Sequence, residues 1–235
     1  MKKLFLLFLI GFCLTSCKKG ITGEGTADIA QDYKISNFTE IEAKGIFKLM
    51  LVESDSTYVS VQTHENLIQN MDISTSGNTL KISEKKGVDS FESYEVYVYY
   101  NQPIEEISID GKILLESAGV FRGNELDLET KDNSRIDLFN VDLKQLDIEA
   151  EENSEITLQG NTTKLNIKKA KGTTVLNLSD LVSSVVNVNL SDEAKVKINV
   201  VNELNGRVQN NASLEYFGNP KKDVDVKERG IIKNN

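Results

Sequence analysis

The sequence predicts an all-β solenoid with coils of about 20 residues, and three observations predict it. From about residue 35 onward apolar and polar residues alternate, which is the period of a strand. The second half repeats itself: LDLETKDNSRIDLFNVDLK from Leu126 aligns with LDIEAEENSEITLQGNTTK from Leu146. Proline occurs only at Pro103 and Pro220, so long stretches of backbone are free to pair.

The chain has 235 residues, 39% hydrophobic and 27% charged, with a mean hydropathy of −0.30. That is too apolar for general disorder and too polar for a multi-span membrane protein. Lys and Arg number 27 against 36 Asp and Glu, a net charge of −9. Phosphate neutralisation needs clustered cations, so a nucleic-acid partner is excluded. One His, no Trp and two Cys exclude zinc fingers, His-based metal clusters and a disulfide framework.

At the N-terminus, Met1-Lys2-Lys3 precedes an apolar run from Leu4 to Leu14. A helix needs roughly 20 residues to cross a bilayer, so this run reads as the core of a secretory signal. Leu14-Thr15-Ser16-Cys17 resembles the lipobox of bacterial lipoproteins. The resemblance implies cleavage after Ser16, a signal over residues 1–16, and lipidation of Cys17. Lipid at one point anchors a domain rather than spanning the membrane. Residues 17–34, starting with Lys18-Lys19-Gly20, are expected to be a tether, mobile over 18–30, and residues 35–235 the folded domain. The segment after Cys17 lacks the acidic run that resembles a surface-export signal in some Gram-negative lipoproteins, and that comparison implies the periplasmic face of the outer membrane rather than the cell surface.

In the domain, Phe47–Val52, Tyr58–Val61 and Tyr94–Tyr100 alternate as strands. Leu67, Ile68 and Met71 are at helical spacing, enough for about two turns. From residue 104 to 232 two apolar columns recur. The first is Leu115, Ile136, Ile156, Leu176, Val196, Leu214 and Ile232; the second is Ile107, Leu126, Leu146, Leu165, Val186, Leu204 and Val224. One coil cannot bury its apolar side alone; stacking coils about 4.8 Å apart closes the ladder hydrogen bonds and makes a continuous interior. Asp127, Asp147, Asn166, Asn187 and Asn205 lie between apolar positions and form an outer polar column. Before each repeat of the first column comes a turn residue: Gly111, Asp132, Glu152, Gly172, Asp192, Asn210 or Glu228. Gly, Asn and Asp suit left-handed or bridge conformations there. Two residues later most coils carry a small residue, such as Ser134, Ser154, Thr174, Ala194 and Ala212.

Candidate chemistry is sparse. His64 is the only imidazole, and a nucleophilic triad needs a Ser or Cys in reach of its base; His64 reads as a solvated turn residue. Gly23-x-Gly25 lacks the strand-turn-helix context of a phosphate cradle and reads as a flexible entry. Asp132 and Glu152 stack in one turn column, with Glu151, Asp192 and Glu193 near and Lys131 and Arg135 available. Like charges there invite a cation, but hydrated surface carboxylates are the expectation. Of the aromatic run, Tyr97 and Tyr99 share one face, and Tyr94 and Tyr100 lie beside them in sequence. Exposed aromatics stack on sugars or partners, and core use is commoner. No catalytic, cofactor-binding or metal-binding residue is assigned; Cys17 is the one assigned site.

Several segments resemble the head GIN domain of putative auto-transporter adhesins, a family common among Bacteroidetes lipoproteins. They are Gly23-Glu24-Gly25, Phe38 to Gly45, His64 to Leu67, Gly77 to Ile82, Pro103 to Ile107, and Leu214-Glu215-Tyr216-Phe217-Gly218-Asn219-Pro220. The last carries a Tyr-x-Gly-x-Pro close. The family's Ser-Gly-Ser-Gly turns are degenerate here, as in Lys131-Asp132-Asn133-Ser134. The resemblance implies a right-handed parallel β-helix-like solenoid with an irregular N-terminal part, and it brings no catalytic motif. The expected function is therefore a non-enzymatic, adhesin-like or envelope-interaction lipoprotein of the cell envelope. Its expected partners are the membrane through the lipid anchor and a glycan, a lipid or an envelope protein. Lipid or glycolipid binding is the alternative, and a polysaccharide-active enzyme a more distant one.

Overall fold

A computed structural model describes residues 20–235; the signal and Cys17 lie outside the described residues. The chain begins with β1 (Ile21–Thr22), β2 (Ile29–Lys34), β3 (Glu40–Gly45), β4 (Lys48–Glu53), β5 (Tyr58–Thr63), a short helix α1 (Glu65–Asn70), β6 (Met71–Ser76), β7 (Thr79–Glu84), β8 (Val88–Ser90) and β9 (Glu95–Tyr100). It continues through β10 (Glu106–Gly111), β11 (Leu114–Ala118), β12 (Phe121–Lys131), β13 (Arg135–Ala150), β14 (Glu155–Ala170) and β15 (Val175–Leu190). The last strands are β16 (Lys195–Val208), β17 (Ser213–Phe217), β18 (Lys221–Val226) and β19 (Ile231–Asn234). Alternation turns directly into burial: in β4 Leu49 and Leu51 are interior while Lys48, Met50 and Val52 face out.

The chain is a β-solenoid of stacked parallel coils. The first apolar column is in register throughout: Leu115 pairs Ile136, then Ile156, Leu176, Val196, Leu214 and Ile232 in turn. The second holds from Leu126 through Leu146, Leu165 and Val186 to Leu204. Its two ends need correction. Ile107 pairs with Leu128, not Leu126, and Leu204 pairs with Lys222, not Val224. Both slips are of two residues, which keeps every side chain on its face, so alternation alone does not detect them.

Parallel stacking reaches further than residues 104–232. β3 and β4 form the rung beneath β10 and β11, with Ile41 against Ile107 and Leu49 against Leu115. β7 and β9 form the next rung, with Leu80 against Ile41 and Val96 against Leu49. The irregularity of the N-terminal part is one of order, since the chain visits these rungs out of sequence. The end is then closed by antiparallel strands: β6 on β7, β5 on β9, and β2 on β5. These give the terminal rung its hydrogen-bonding partners and end the stack.

The expected tether is also corrected. Within residues 17–34, β1 pairs with β8 and β2 pairs with β5. The Asn66 side chain clamps this entry: its Nδ2 donates to the Thr22 carbonyl at 2.8 Å and its Oδ1 accepts the Glu24 amide at 3.0 Å. β2 is mostly exposed, so it carries the polar composition of a tether while supplying a ladder.

The turn column is left-handed at every coil. Gly111, Asp132, Glu152, Gly172, Asp192, Asn210 and Glu228 lie at φ of 113°, 56°, 62°, 72°, 60°, 59° and 54°. The small residues two positions later are buried, and they close the turn. The Ser134 hydroxyl donates to the Lys131 carbonyl, Ser154 to Glu151 at 2.6 Å and Thr174 to Lys171 at 2.8 Å.

Candidate functional site

The solenoid carries chemistry on its outside. In-register stacking places the expected polar column in one line: Asp127, Asp147, Asn166, Asn187 and Asn205. Parallel pairing repeats a side chain every rung, so an amide donates to the rung before and accepts from the rung after. Asn166 Nδ2 donates to Asp147 Oδ1 at 2.7 Å and Asn187 Nδ2 to Asn166 Oδ1 at 2.8 Å. At the acidic end Lys168 bridges Asp127 and Asp147 at 2.8 and 2.9 Å. Those two carboxylates hold the Lys168 ammonium protonated well above its usual range.

Carboxylates crowd the neighbouring rungs. Glu40, Glu106 and Asp127 are in direct register on three successive strands. Burial and then the charges of Glu40, Glu129, Asp127 and Glu42 push the Glu106 carboxyl up. In the turn column, hydrogen bonds from Lys169 and Lys171 bring Glu151 down to about 2. Lys44 meets Asp110 at 2.5 Å one coil from Asp132.

His64 is a correction. It is 3% exposed, precedes α1, and its Nε2 accepts the Glu92 amide at 3.1 Å. Gly23 is packed on the imidazole: a Cβ there would lie 2.2 Å from His64 Cδ2. Gly23 is thus a close-packing residue rather than a flexible entry. Among the described residues His64 makes no hydrogen bond to a Ser, Thr or Asp side chain. The tyrosines divide by face. Tyr94 and Tyr100 are interior, whereas Tyr97 and Tyr99 face out, with Tyr99 stacked on Tyr58 at 4.2 Å between centroids.

One feature escaped the sequence. The parallel pairing of β4 and β9 sets Glu53 against Tyr100 where both strands end. The Ser54 amide donates to the Tyr100 carbonyl at 2.9 Å and ties the two exits together. Arg122, from the start of β12, comes up beside the Asn101-Gln102-Pro103 turn. Together they line a cleft of about 170 Å³, and a second hollow of about 450 Å³ adjoins it, sharing Glu53 and Asn101 and adding Ser54 and Asp55. Tyr100 is 8% exposed, and burial with the nearby Glu53 charge pushes its phenol up to about 12. Apart from its ordinary residue types, nothing in the sequence singles out this group, because Arg122 is far from Glu53 along the chain.

The comparisons agree with this architecture. Residues 37–220 match the family model described as putative auto-transporter adhesin, head GIN domain. The crystal structure of a putative adhesin from Bacteroides fragilis NCTC 9343 superposes with a TM-score of 0.85 at 21% identity, over 92% of this chain and 100% of that one. A putative lipid binding protein from Parabacteroides distasonis ATCC 8503 gives 0.74 at 18% identity, again over 92% and 100%. A putative adhesin from Parabacteroides merdae ATCC 43184 gives 0.65 at 17%, over 92% and 98%. At these identities the likeness is one of fold. No curated protein matches the chain in sequence.

Proposed function

The chain belongs to the head GIN domain family of putative auto-transporter adhesins, and from that premise we propose that it is a non-enzymatic, adhesin-type lipoprotein of the cell envelope. In this reading lipid on Cys17 holds it to the outer membrane, facing the periplasm, and the solenoid presents its side to a glycan, a lipid or an envelope protein. The observation that carries the reading is the outer ladder from Asp127 to Asn205. From Asp147 to Asn205 its side chains are hydrogen-bonded rung to rung, and Lys168 ties Asp127 to Asp147, so the row is held fixed as a display surface. Among the described residues no helix is long and apolar enough to cross a membrane, which is compatible with anchoring at one point.

Lipid binding is the second reading, suggested by the name of the Parabacteroides distasonis neighbour. An acyl chain needs an apolar cavity. Here the interior is filled by the Leu, Ile and Val columns, and the cleft at Tyr100 is rimmed by charged and amide side chains, which favours the adhesin-type reading.

The test is expression of the full chain and of Cys17→Ser with labelled fatty acid, followed by envelope fractionation. Beads coated with the protein are then assayed on isolated envelopes. The wild type is expected in the membrane fraction with label, the Cys17→Ser protein unlabelled and released or unprocessed, and the beads retained. A variant that is processed and fractionates like wild type would overturn the anchor, and unretained beads would overturn adhesion.

A further inference from the structure

We propose that the cleft at Glu53, Tyr100, Asn101, Gln102 and Arg122 is a saccharide site that takes a neutral pyranose unit of a glycan. The inference rests on the adhesin-type reading above and names its ligand class.

The cleft combines what a sugar needs and little that other ligands would. A pyranose presents hydroxyls that both donate and accept. It is matched by a mixed set of acceptors and donors rather than by a single sign of charge. Glu53 supplies carboxylate acceptors, Arg122 guanidinium donors, and Asn101 and Gln102 amides that do both. One cation and one anion give the cleft no net charge, which fits a neutral sugar better than a phosphate or a uronate. Its size of about 170 Å³ suits one ring, and the adjoining hollow of about 450 Å³ with Asp55 gives the next unit of a chain somewhere to lie.

Tyr100 is the second, independent observation. It lines the cleft and is 8% exposed, yet among the described residues its hydroxyl has no hydrogen-bond partner. The hydroxyl is not one of the buried unpaired atoms, so it opens onto the cleft and is available to a ligand. The side chains of Glu53, Gln102 and Arg122 are likewise without a side-chain hydrogen bond or ion pair among the described residues, although they converge on one cleft. These three side chains are exposed and hydrated, so each is free to exchange its water for a hydroxyl of a bound sugar. A sugar hydroxyl donating to or accepting from Tyr100 would take the place of water on the phenol.

The position fits display. The cleft opens where β4 and β9 leave the sheet, at the corner of the N-terminal rungs. These strands are held on both sides, by β5 and by β11, so Glu53 and Tyr100 are set on rigid elements, with Asn101 and Gln102 on the turn that leaves β9.

The test is ligand-observed NMR on the full chain in detergent. The probes are the neutral maltose, cellobiose, mannobiose and lactose series, with glucuronate and sulfated oligosaccharides alongside. At least one neutral series should bind with a dissociation constant in the millimolar range or tighter. Tyr100→Phe removes only the hydroxyl and should weaken binding about fivefold, as should Arg122→Ala, for one hydrogen bond each. Gln102→Ala, at an exposed turn, provides a variant with no folding burden. Unchanged affinity across all three variants would overturn the site, and so would binding confined to the anionic sugars or absent from every neutral series. Because the assay is in solution, failure here leaves Cys17 anchoring and bead retention standing, and failure there leaves sugar binding standing.

Discussion

Asn187 donates its side-chain amide to Asn166 Oδ1 at 2.8 Å, one coil back and 21 residues earlier in the chain. Asn205 does the same to Asn187 at 3.4 Å. Asn166 and Asn187 each use the NH₂ on one neighbour and the oxygen on the other, a pattern open only to identical or complementary side chains stacked in parallel register.

Replacing the middle member breaks both links. Asn187→Ala should cost about 1–2 kcal/mol, the net worth of two hydrogen bonds on a half-buried face. Asn187→Asp should cost more at neutral pH, because a carboxylate has no hydrogen to give Asn166 and sets its charge against that oxygen. Urea unfolding midpoints of the three proteins check the order.

Gly206 sits at φ 130°, and a Cβ there would lie 1.9 Å from the Val188 carbonyl oxygen. Gly77 is also left-handed, at φ 61°, but a Cβ there meets nothing within 4 Å. Gly206→Ala should therefore cost about 3 kcal/mol or more from strain and overlap together. Gly77→Ala should cost only the roughly 1–2 kcal/mol of a left-handed alanine. Equal losses in chemical denaturation would contradict close coil-to-coil approach at Gly206.

Glu106 lies between Glu40 and Asp127, and its carboxyl is pushed up by burial and by those neighbours. A group raised on folding binds its proton more tightly in the folded chain. Its stabilising contribution is complete below the unfolded value and is lost as pH rises through the folded one. Glu106→Gln should therefore raise the melting temperature at pH 7, and the gain should vanish in acid below the normal glutamate range. Glu151, drawn down to about 2 by Lys169 and Lys171, has the opposite sign. Its contribution is present above the unfolded value and fades as pH falls toward 2, so Glu151→Gln should lower the melting temperature at pH 7. A pair of thermal melts across pH 3 to 8 reads both.

Gly23→Ala would drive a methyl into the His64 ring, which cannot swing away without losing the Glu92 amide. The expected cost is about 1–3 kcal/mol, with faster hydrogen exchange at the Glu92 amide. Exchange unchanged from wild type would mean that the entry segment is not seated on α1.

The solenoid half was legible because the same contact is written again every coil. Ile136, Ile156 and Leu176 recur because each must cover its neighbour. Asp132, Glu152 and Asn210 recur before them because a left-handed corner must recur too. Where the spacing stayed regular, reading the register was reading the repeat. At Ile107 and Lys222 the strands lengthen or shorten by a pair of residues, and a two-residue slip leaves the apolar pattern untouched.

The sequence by itself determined an all-β stack, its columns, its turns and its outer amide row, since parallel in-register pairing turns a chemical repeat into a spatial one. The tertiary structure alone decided the N-terminal rungs, where Ile41 lies between Leu80 and Ile107 and no period links the three. It also decided the burial of His64 and the meeting of Glu53, Tyr100 and Arg122. Those contacts join segments with no shared pattern, and the physical reason is simple. A closing end has no identical neighbour to pack against, so its partners are chosen by shape and hydrogen bonding once the chain has folded back, and neither leaves a period in the sequence.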